Sequence, residues 1–156
     1  MTRRITVRGI IVKDGKIFGQ QLTPDYMGNP RDYWCTPGGG LDDSESIHNC
    51  LDREMIEETG IKPVIGRLLF VQQFIRKDGI EELEFFFHIE NADDYELINL
   101  SETTHGLVET TCAEFVDAKT HNILPAFLQT IDVQDYISNN QPVLFVSSLD
   151  KKACNL

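Results

Sequence analysis

Three glutamates, Glu54, Glu57 and Glu58, stand three and four positions apart in a stretch whose apolar residues Ile47, Cys50, Leu51 and Met55 recur at helical spacing. On a helix advancing about 100° per residue those four apolar side chains define the buried face, and Glu54 and Glu58 lean the same way with Glu57 beside them. Like charges at this spacing repel, and negative charge near a helix C-terminus opposes the helix dipole. Something positive has to offset them. Carboxylate oxygens suit a hard cation such as Mg²⁺ or Mn²⁺, and Mg²⁺ characteristically bridges a few carboxylates to phosphate oxygens. The chemistry open to the cluster is metal-assisted substitution at phosphorus. Taken on the helix alone, a solvated face paired with Arg53 and nearby lysines accounts for the same three residues equally well.

The helix that must carry them is well bounded. Ser46 suits the N-cap of a helix over 47–59, Gly60 suits the left-handed residue that closes it, and Pro63 enforces the stop. Upstream, residues 5–12 are rich in β-branched types, and Lys13-Asp-Gly-Lys16 supplies a turn before Ile17 and Phe18, which predicts a hairpin. Residues 23–32, with Pro24, Gly28, Asn29 and Pro30, read as an exposed loop. A short strand over 33–36 follows, ended by Pro37, and Gly38-Gly39-Gly40 reads as a tight turn that a ligand can approach. After the helix, strands over 68–75 and 83–89 flank Arg76-Lys-Asp-Gly79, a second hairpin. Residues 114–116 form one more strand. Ile123, Phe127, Leu128 and Ile131 predict a helix over 123–137 with Pro125 in its first turn, and 143–146 is a strand or a docking segment. Mixed strands interrupted by two helices, without repeats, predict an α/β fold: an α/β/α sandwich with a mixed central sheet, forming a single domain over 1–156 with 138–156 as a C-terminal extension.

Bulk properties narrow the partners. A 156-residue chain with 41% hydrophobic and 25% charged residues buries a core as one domain. Its formal net charge of −11 repels long nucleic acid, whereas a small phosphorylated ligand remains open because bound cations reverse the local field. Cys35, Cys50, Cys112 and Cys154 lack CxxC spacing and read as reduced thiols of a cytoplasmic protein. The basic N-terminus leads into no signal-length apolar stretch, and no run approaches about 18 apolar residues, so membrane spanning is not expected. A homodimer is compatible with the composition.

Residues 39–61, GGLDDSESIHNCLDREMIEETGI, resemble the Nudix box G-x5-E-x7-R-E-U-x-E-E-x-G-U, where U is a bulky aliphatic. Its specified positions are filled by Gly39, Glu45, Arg53, Glu54, Met55, Glu57, Glu58, Gly60 and Ile61, and Trp34-Cys-Thr-Pro-Gly-Gly39 is similar to the family's usual lead-in. The resemblance implies Mg²⁺- or Mn²⁺-dependent hydrolysis of a diphosphate linkage in a nucleoside diphosphate joined to another group. It implies metal ligation by Glu57, Glu58 and the Gly39 carbonyl, and makes Glu54 either a further ligand or the base for the attacking water. Arg53 would orient Glu54 or pair with Glu45, while Glu45 and Gly60 support the shape. The alternative it leaves is a Nudix-fold nucleotide-sensing domain without turnover.

For substrate phosphates the candidates are Arg8, Arg31 and Arg76; for a base, Trp34, Tyr26 and Tyr33. Family members often draw an additional carboxylate from a later loop, for which Glu102 and Glu109 both qualify. His105 beside Gly106 is a candidate base or phosphate contact, although a lone loop histidine is more often an ordinary surface residue. His48, His88 and His121 have no metal-ligand spacing and are assigned no role.

Overall fold

The computed structural model describes residues 2–149, apart from the side chain of Leu107; residues 150–156, which hold Cys154 and the end of the expected extension, lie outside the described residues. In chain order the elements are β1 (Arg3–Ile10), β2 (Val12–Lys13), β3 (Lys16–Leu22), β4 (Trp34–Cys35), β5 (Gly38–Gly40), α1 (Ile47–Thr59), β6 (Ile65–Ile75), β7 (Glu81–Ile89), α2 (Gly106–Glu109), β8 (Thr110–Val116), β9 (Ile123–Leu124), α3 (Val133–Ser138) and β10 (Leu144–Ser147). Short 3-10 turns at Ala92–Tyr95, Leu100–Glu102 and Ala126–Gln129 join them.

The strands divide between two mixed sheets. In the first, the order is β10-β6-β7-β1-β5, with β10 parallel to β6 and β1 parallel to β7. In the second, β3 is central, paired with β8 on one side and with β2 and β4 on the other, and β9 extends β4. Both hairpins form as expected: Asp14 and Gly15 turn β2 into β3, and the 76–80 segment turns β6 into β7.

Period-two alternation gives the first sheet two different faces. Val7 on β1 and Phe85, Phe87 and Ile89 on β7 face α1, where they pack with Cys50, Leu51 and Met55. On the opposite face β1 carries Arg4, Thr6 and Arg8, β7 carries Glu82 and Glu84, and β6 carries Gln72 and Phe74. The same rows then turn apolar at Phe70 and Phe86, which enter a second core with Ile17, Trp34, Leu128 and Val133. One sheet face is therefore half core and half polar floor.

Phe70 anchors that second core, with ring centroids 5.3 Å from Phe127, 5.2 Å from Tyr136 and 6.4 Å from Phe86. Phe70→Ala should destabilise by about 3–5 kcal/mol through lost burial and a residual cavity. A thermal melt should fall by roughly 2–4 °C for each kcal/mol; a shift of under a few degrees would mean that the second core collapses around the gap.

Two expectations are corrected. Gly38-Gly39-Gly40 is an edge strand, not a tight turn: it pairs antiparallel with β1 through Thr6↔Gly40, Val7↔Gly39 and Arg8↔Gly38. Glycine is required at Gly38, where a Cβ would strike the Val7 carbonyl and φ is +132°, and at Gly39 a Cβ would displace the Glu54 carboxylate. The single helix over 123–137 is three elements instead. Ile123 is claimed by pairing with Trp34 in β9, Pro125 precedes the 3-10 turn, and Asp132 restarts the chain as α3 by accepting a bond from Asp135 N–H at 2.9 Å. Each piece buries its own apolar residue, Ile123, Leu128 or Val133, so helical spacing arises without one helix. Residues 144–147 form a strand, β10, against β6. Cys35, Cys50 and Cys112 are free thiols, and among the described residues no helix is long and apolar enough to cross a membrane.

Candidate active site

Helix α1 is fixed at both ends by its caps: the Ser46 hydroxyl accepts from Asn49 N–H at 3.1 Å, and Gly60, at φ +74°, donates its N–H to the Ile56 carbonyl. Burial of Cys50, Leu51 and Met55 then sets the helix's rotation, which brings Glu54 and Glu58 over the edge strand β5. A side chain on Gly39 would fill the space the Glu54 carboxylate occupies, so the bare strand is what lets the helix's acids reach the far side of the sheet.

They reach a cavity of about 970 Å³, floored by the polar half of the first sheet. Glu54, Glu58 and Glu109 line it, as do all three arginines singled out from sequence, Arg8, Arg31 and Arg76, together with Arg4. Glu102 does not line it, and neither does Glu57. Counting Glu82 and Glu84 on the floor, five glutamates stand against four arginines, so a polyanionic ligand needs added cations.

Glu58 is 8% exposed. One oxygen, Oε2, accepts from Gly38 N–H at 2.9 Å and from Gln20 Nε2 at 3.1 Å, and Gln20 in turn accepts from the Thr110 hydroxyl at 3.0 Å. Among the described residues no lysine or arginine forms an ion pair with it. Burial pushes its carboxyl up to about 8 against the pull of the Gly38 N–H. Gln20 and Arg4 are site residues that the sequence reading missed. A polar residue inside the β-branched and aromatic run around Phe18 was the available signal for Gln20, and the Arg4-x-Thr6-x-Arg8 alternation was the signal for Arg4.

Arg53 organises the remaining acids. Its Nε and Nη2 donate to the two oxygens of Glu45, each at 2.9 Å, and its Nη1 donates to Glu54 at 2.8 Å and Glu57 at 3.3 Å. Arg53 therefore bonds both Glu45 and Glu54 at once. The bond from Arg53 holds the Glu45 carboxyl down at about 2, whereas burial raises that of Glu54. Glu57 also meets His105, whose Nδ1 lies 3.4 Å from Oε2 and whose N–H donates to the Glu57 carbonyl at 3.0 Å. That contact docks the 103–109 segment on the end of α1 and so brings Glu109, on α2, to the cavity.

The donor set suits a hard cation: carboxylate oxygens plus the Gly39 carbonyl, with Glu58 buried, in no direct ion pair among the described residues and feeling only the more distant charge of Arg8. Glu54 and Glu57 are at present neutralised by Arg53, and among the described residues no three acidic, histidine or cysteine side chains converge on one point. A cation would compete with Arg53 for them.

The sequence pattern of the NUDIX domain family matches residues 2–129. The Bacillus subtilis (strain 168) protein described as uncharacterized Nudix hydrolase YvcI is 37% identical over 82 residues, 51% of this chain and 51% of that protein. The chain thus spans about half the length of the curated relative it matches. Among solved structures, the Escherichia coli ORF135 protein superposes with a TM-score of 0.64 at 19% identity, covering 90% of this chain and 93% of the other. An ADP-ribose pyrophosphatase from Streptococcus suis gives 0.57 at 14%, covering 91% and 98%. At these identities the likeness is one of fold.

Proposed function

This chain belongs to the Nudix family, and from that premise we propose that it hydrolyses a diphosphate linkage, in a nucleoside diphosphate joined to a further group, with Mg²⁺ or Mn²⁺. Glu58 carries the reading: a buried carboxylate without an ion-pair partner, on the wall of a cavity that also presents arginines, is a costly arrangement that a cation relieves. Glu54, Glu57, Glu58 and the Gly39 carbonyl would hold the cation, which when bound neutralises phosphate oxygens and acidifies water.

The chain's own residues supply the rest. Arg8, held by Glu84 at 3.0 Å and by the Thr36 carbonyl at 3.0 Å, presents a fixed charge to a phosphate, and Arg31 and Arg76 line the same cavity, Arg76 being paired with Asp78 and Glu82. Arg53 and Glu45 set the position of Glu54, which serves as a ligand or takes the proton from the attacking water. Glu109 provides the additional carboxylate in preference to Glu102, since it lines the cavity. Residues 1–156 act in this reading as one domain, with β10 built into its first sheet.

The test is a panel of nucleoside triphosphates, ADP-ribose, sugar nucleotides and dinucleoside polyphosphates incubated with Mg²⁺ or Mn²⁺, with released phosphate species measured. Turnover of at least one compound should stop with chelator and return with excess metal. Tight binding without product from any compound would mark a nucleotide-sensing domain instead.

A further inference from the structure

Strand β8 slips its register against β3 at one residue. Gln20 pairs with Ala113 and Gln21 with Cys112, but Leu22 pairs with Thr110, so Thr111 bulges out of the ladder. Ala113 and Phe115, opposite Gln20 and Phe18, belong to the core beneath α1. Strict alternation would set Thr111 next on that face. The bulge sets Thr110 there instead: Thr110 is 1% exposed, whereas Thr111 is exposed and its hydroxyl donates to the Gln21 carbonyl at 3.1 Å. Bulges re-aim side chains in this way and recur beside active sites. The displaced backbone is pinned to β3 by Thr23 N–H, which donates to the Glu109 carbonyl at 2.8 Å.

The re-aimed hydroxyl meets Gln20. Thr110 donates to Gln20 Oε1 at 3.0 Å and Gln20 Nε2 donates to Glu58 Oε2 at 3.1 Å, so β8, β3 and α1 are joined by one buried line of polar groups. Phe18, two positions earlier on the same face of β3, is core, and an amide in that row needs a partner at each end. A carboxamide can sit in such a gap either way round. A carboxylate that holds a cation is ionised and only accepts, so Gln20 must turn its N–H₂ to Glu58 and its oxygen away. That oxygen then needs a donor, which Thr110 supplies. Gly38 N–H reaches the same Glu58 oxygen at 2.9 Å, and with both donors on Oε2 the other oxygen is left for the cation.

Resting on the cation reading above, we infer that Gln20 and Thr110 are positioning residues for Glu58: Thr110 fixes which way the Gln20 amide points, and the amide fixes which oxygen of Glu58 is offered to the metal. A buried pair that served folding alone would change stability when cut. A positioning pair also changes metal affinity, and groups that orient a metal ligand typically cost about 10–100-fold in affinity when removed.

Titration of the full chain with Mn²⁺ alone, followed by calorimetry, tests this without turnover. Thr110→Val keeps the shape and loses the donor, and should weaken Mn²⁺ binding by at least about tenfold; Thr110→Ser restores the hydroxyl and should bind within about twofold of the parent. Gln20→Met cuts the line from the other side, so it decides the matter if Thr110→Val yields too little folded protein. It should weaken binding at least as much, and adding Thr110→Val to it should weaken binding no further, because Thr110 acts only through Gln20. Phe70→Ala, destabilised in the second core, should melt lower than the parent and yet bind Mn²⁺ like it, which separates affinity from stability. On any diphosphate substrate found, Thr110→Val should raise the Mn²⁺ concentration for half-maximal rate about tenfold and leave kcat at saturating Mn²⁺ within about threefold. Parent-like Mn²⁺ affinity in both Thr110→Val and Gln20→Met, or equal losses in Thr110→Ser and Thr110→Val, would overturn the positioning role and leave the cation site standing. A parent protein that binds no Mn²⁺ would overturn both. The expected order of affinities without hydrolysis of any compound would overturn the hydrolase reading and support the positioning pair.

Discussion

Glu58→Gln should lower kcat/KM by roughly 10²–10³-fold, the range for deleting one preorganised electrostatic group, and should make the metal-free protein more stable. Both outcomes follow from one property. Glu58 is buried without a direct ion pair, and burial raises its carboxyl to about 8 against the pull of the Gly38 N–H and the Arg8 charge. A carboxyl whose folded value stands above its unfolded one, roughly 4.3, binds a proton on folding, so stability is full below that value, falls as pH rises through the interval and levels off beyond about 8. Glutamine keeps the shape and an oxygen for the Gly38 and Gln20 donors but has nothing to ionise. The gain over the parent protein should therefore be absent near pH 4, reach about a few kcal/mol by pH 8, and appear as a higher melting temperature of the chelated protein. Adding Mg²⁺ or Mn²⁺ should raise the melting temperature of the parent and leave that of the variant nearly unmoved. Equal activity in the variant, or equal metal response, would remove Glu58 from the cation site.

Local chemistry is what made α1 readable before any coordinates. Ser46 and Gly60 encode its ends through side-chain and backbone preferences that depend on no distant residue, and the apolar spacing of Cys50, Leu51 and Met55 fixes its inward face. The Asp-Gly turns of the two hairpins are local in the same sense. Gly38-Gly39-Gly40 could not be read correctly that way, because its strand character comes from pairing with β1, about thirty positions earlier, and from the Glu54 carboxylate lying against Gly39. Glycine's intrinsic preference points to a turn, and the tertiary partner overrides it. The cavity floor was hidden for a related reason. Arg4, Glu82, Glu84, Gln72 and Phe74 sit on three strands, and only the register that sets Thr6 beside Glu84 and Glu84 beside Gln72 assembles them. The alternation of polar residues within β1 and β7 was visible; which polar face would meet which was not.

The edge strand offers the second large effect, and two neighbouring glycines separate fold from site. Gly39→Ala should fold and yet lose about 100-fold in kcat/KM. The three atoms nearest its new Cβ all belong to the end of the Glu54 side chain, which is flexible and can swing aside at small cost to stability. Swinging aside takes the carboxylate from the position Arg53 holds, and a misplacement of about 1 Å can cost 10²-fold. Shortening the acid should relieve the collision, so Gly39→Ala combined with Glu54→Asp should recover part of the loss, and more than Glu54→Asp alone would suggest from additivity. Gly38→Ala is different in kind. There the Cβ meets the Val7 carbonyl, which is backbone of the paired strand β1 and cannot swing aside, and φ +132° strains any side chain whatever the space. That variant should give little soluble protein or a melting temperature lowered by many degrees. If Gly39→Ala instead melts as low as Gly38→Ala, β5 is needed only as a sheet edge; if it melts normally and keeps full activity, Glu54 does not work from the position above Gly39.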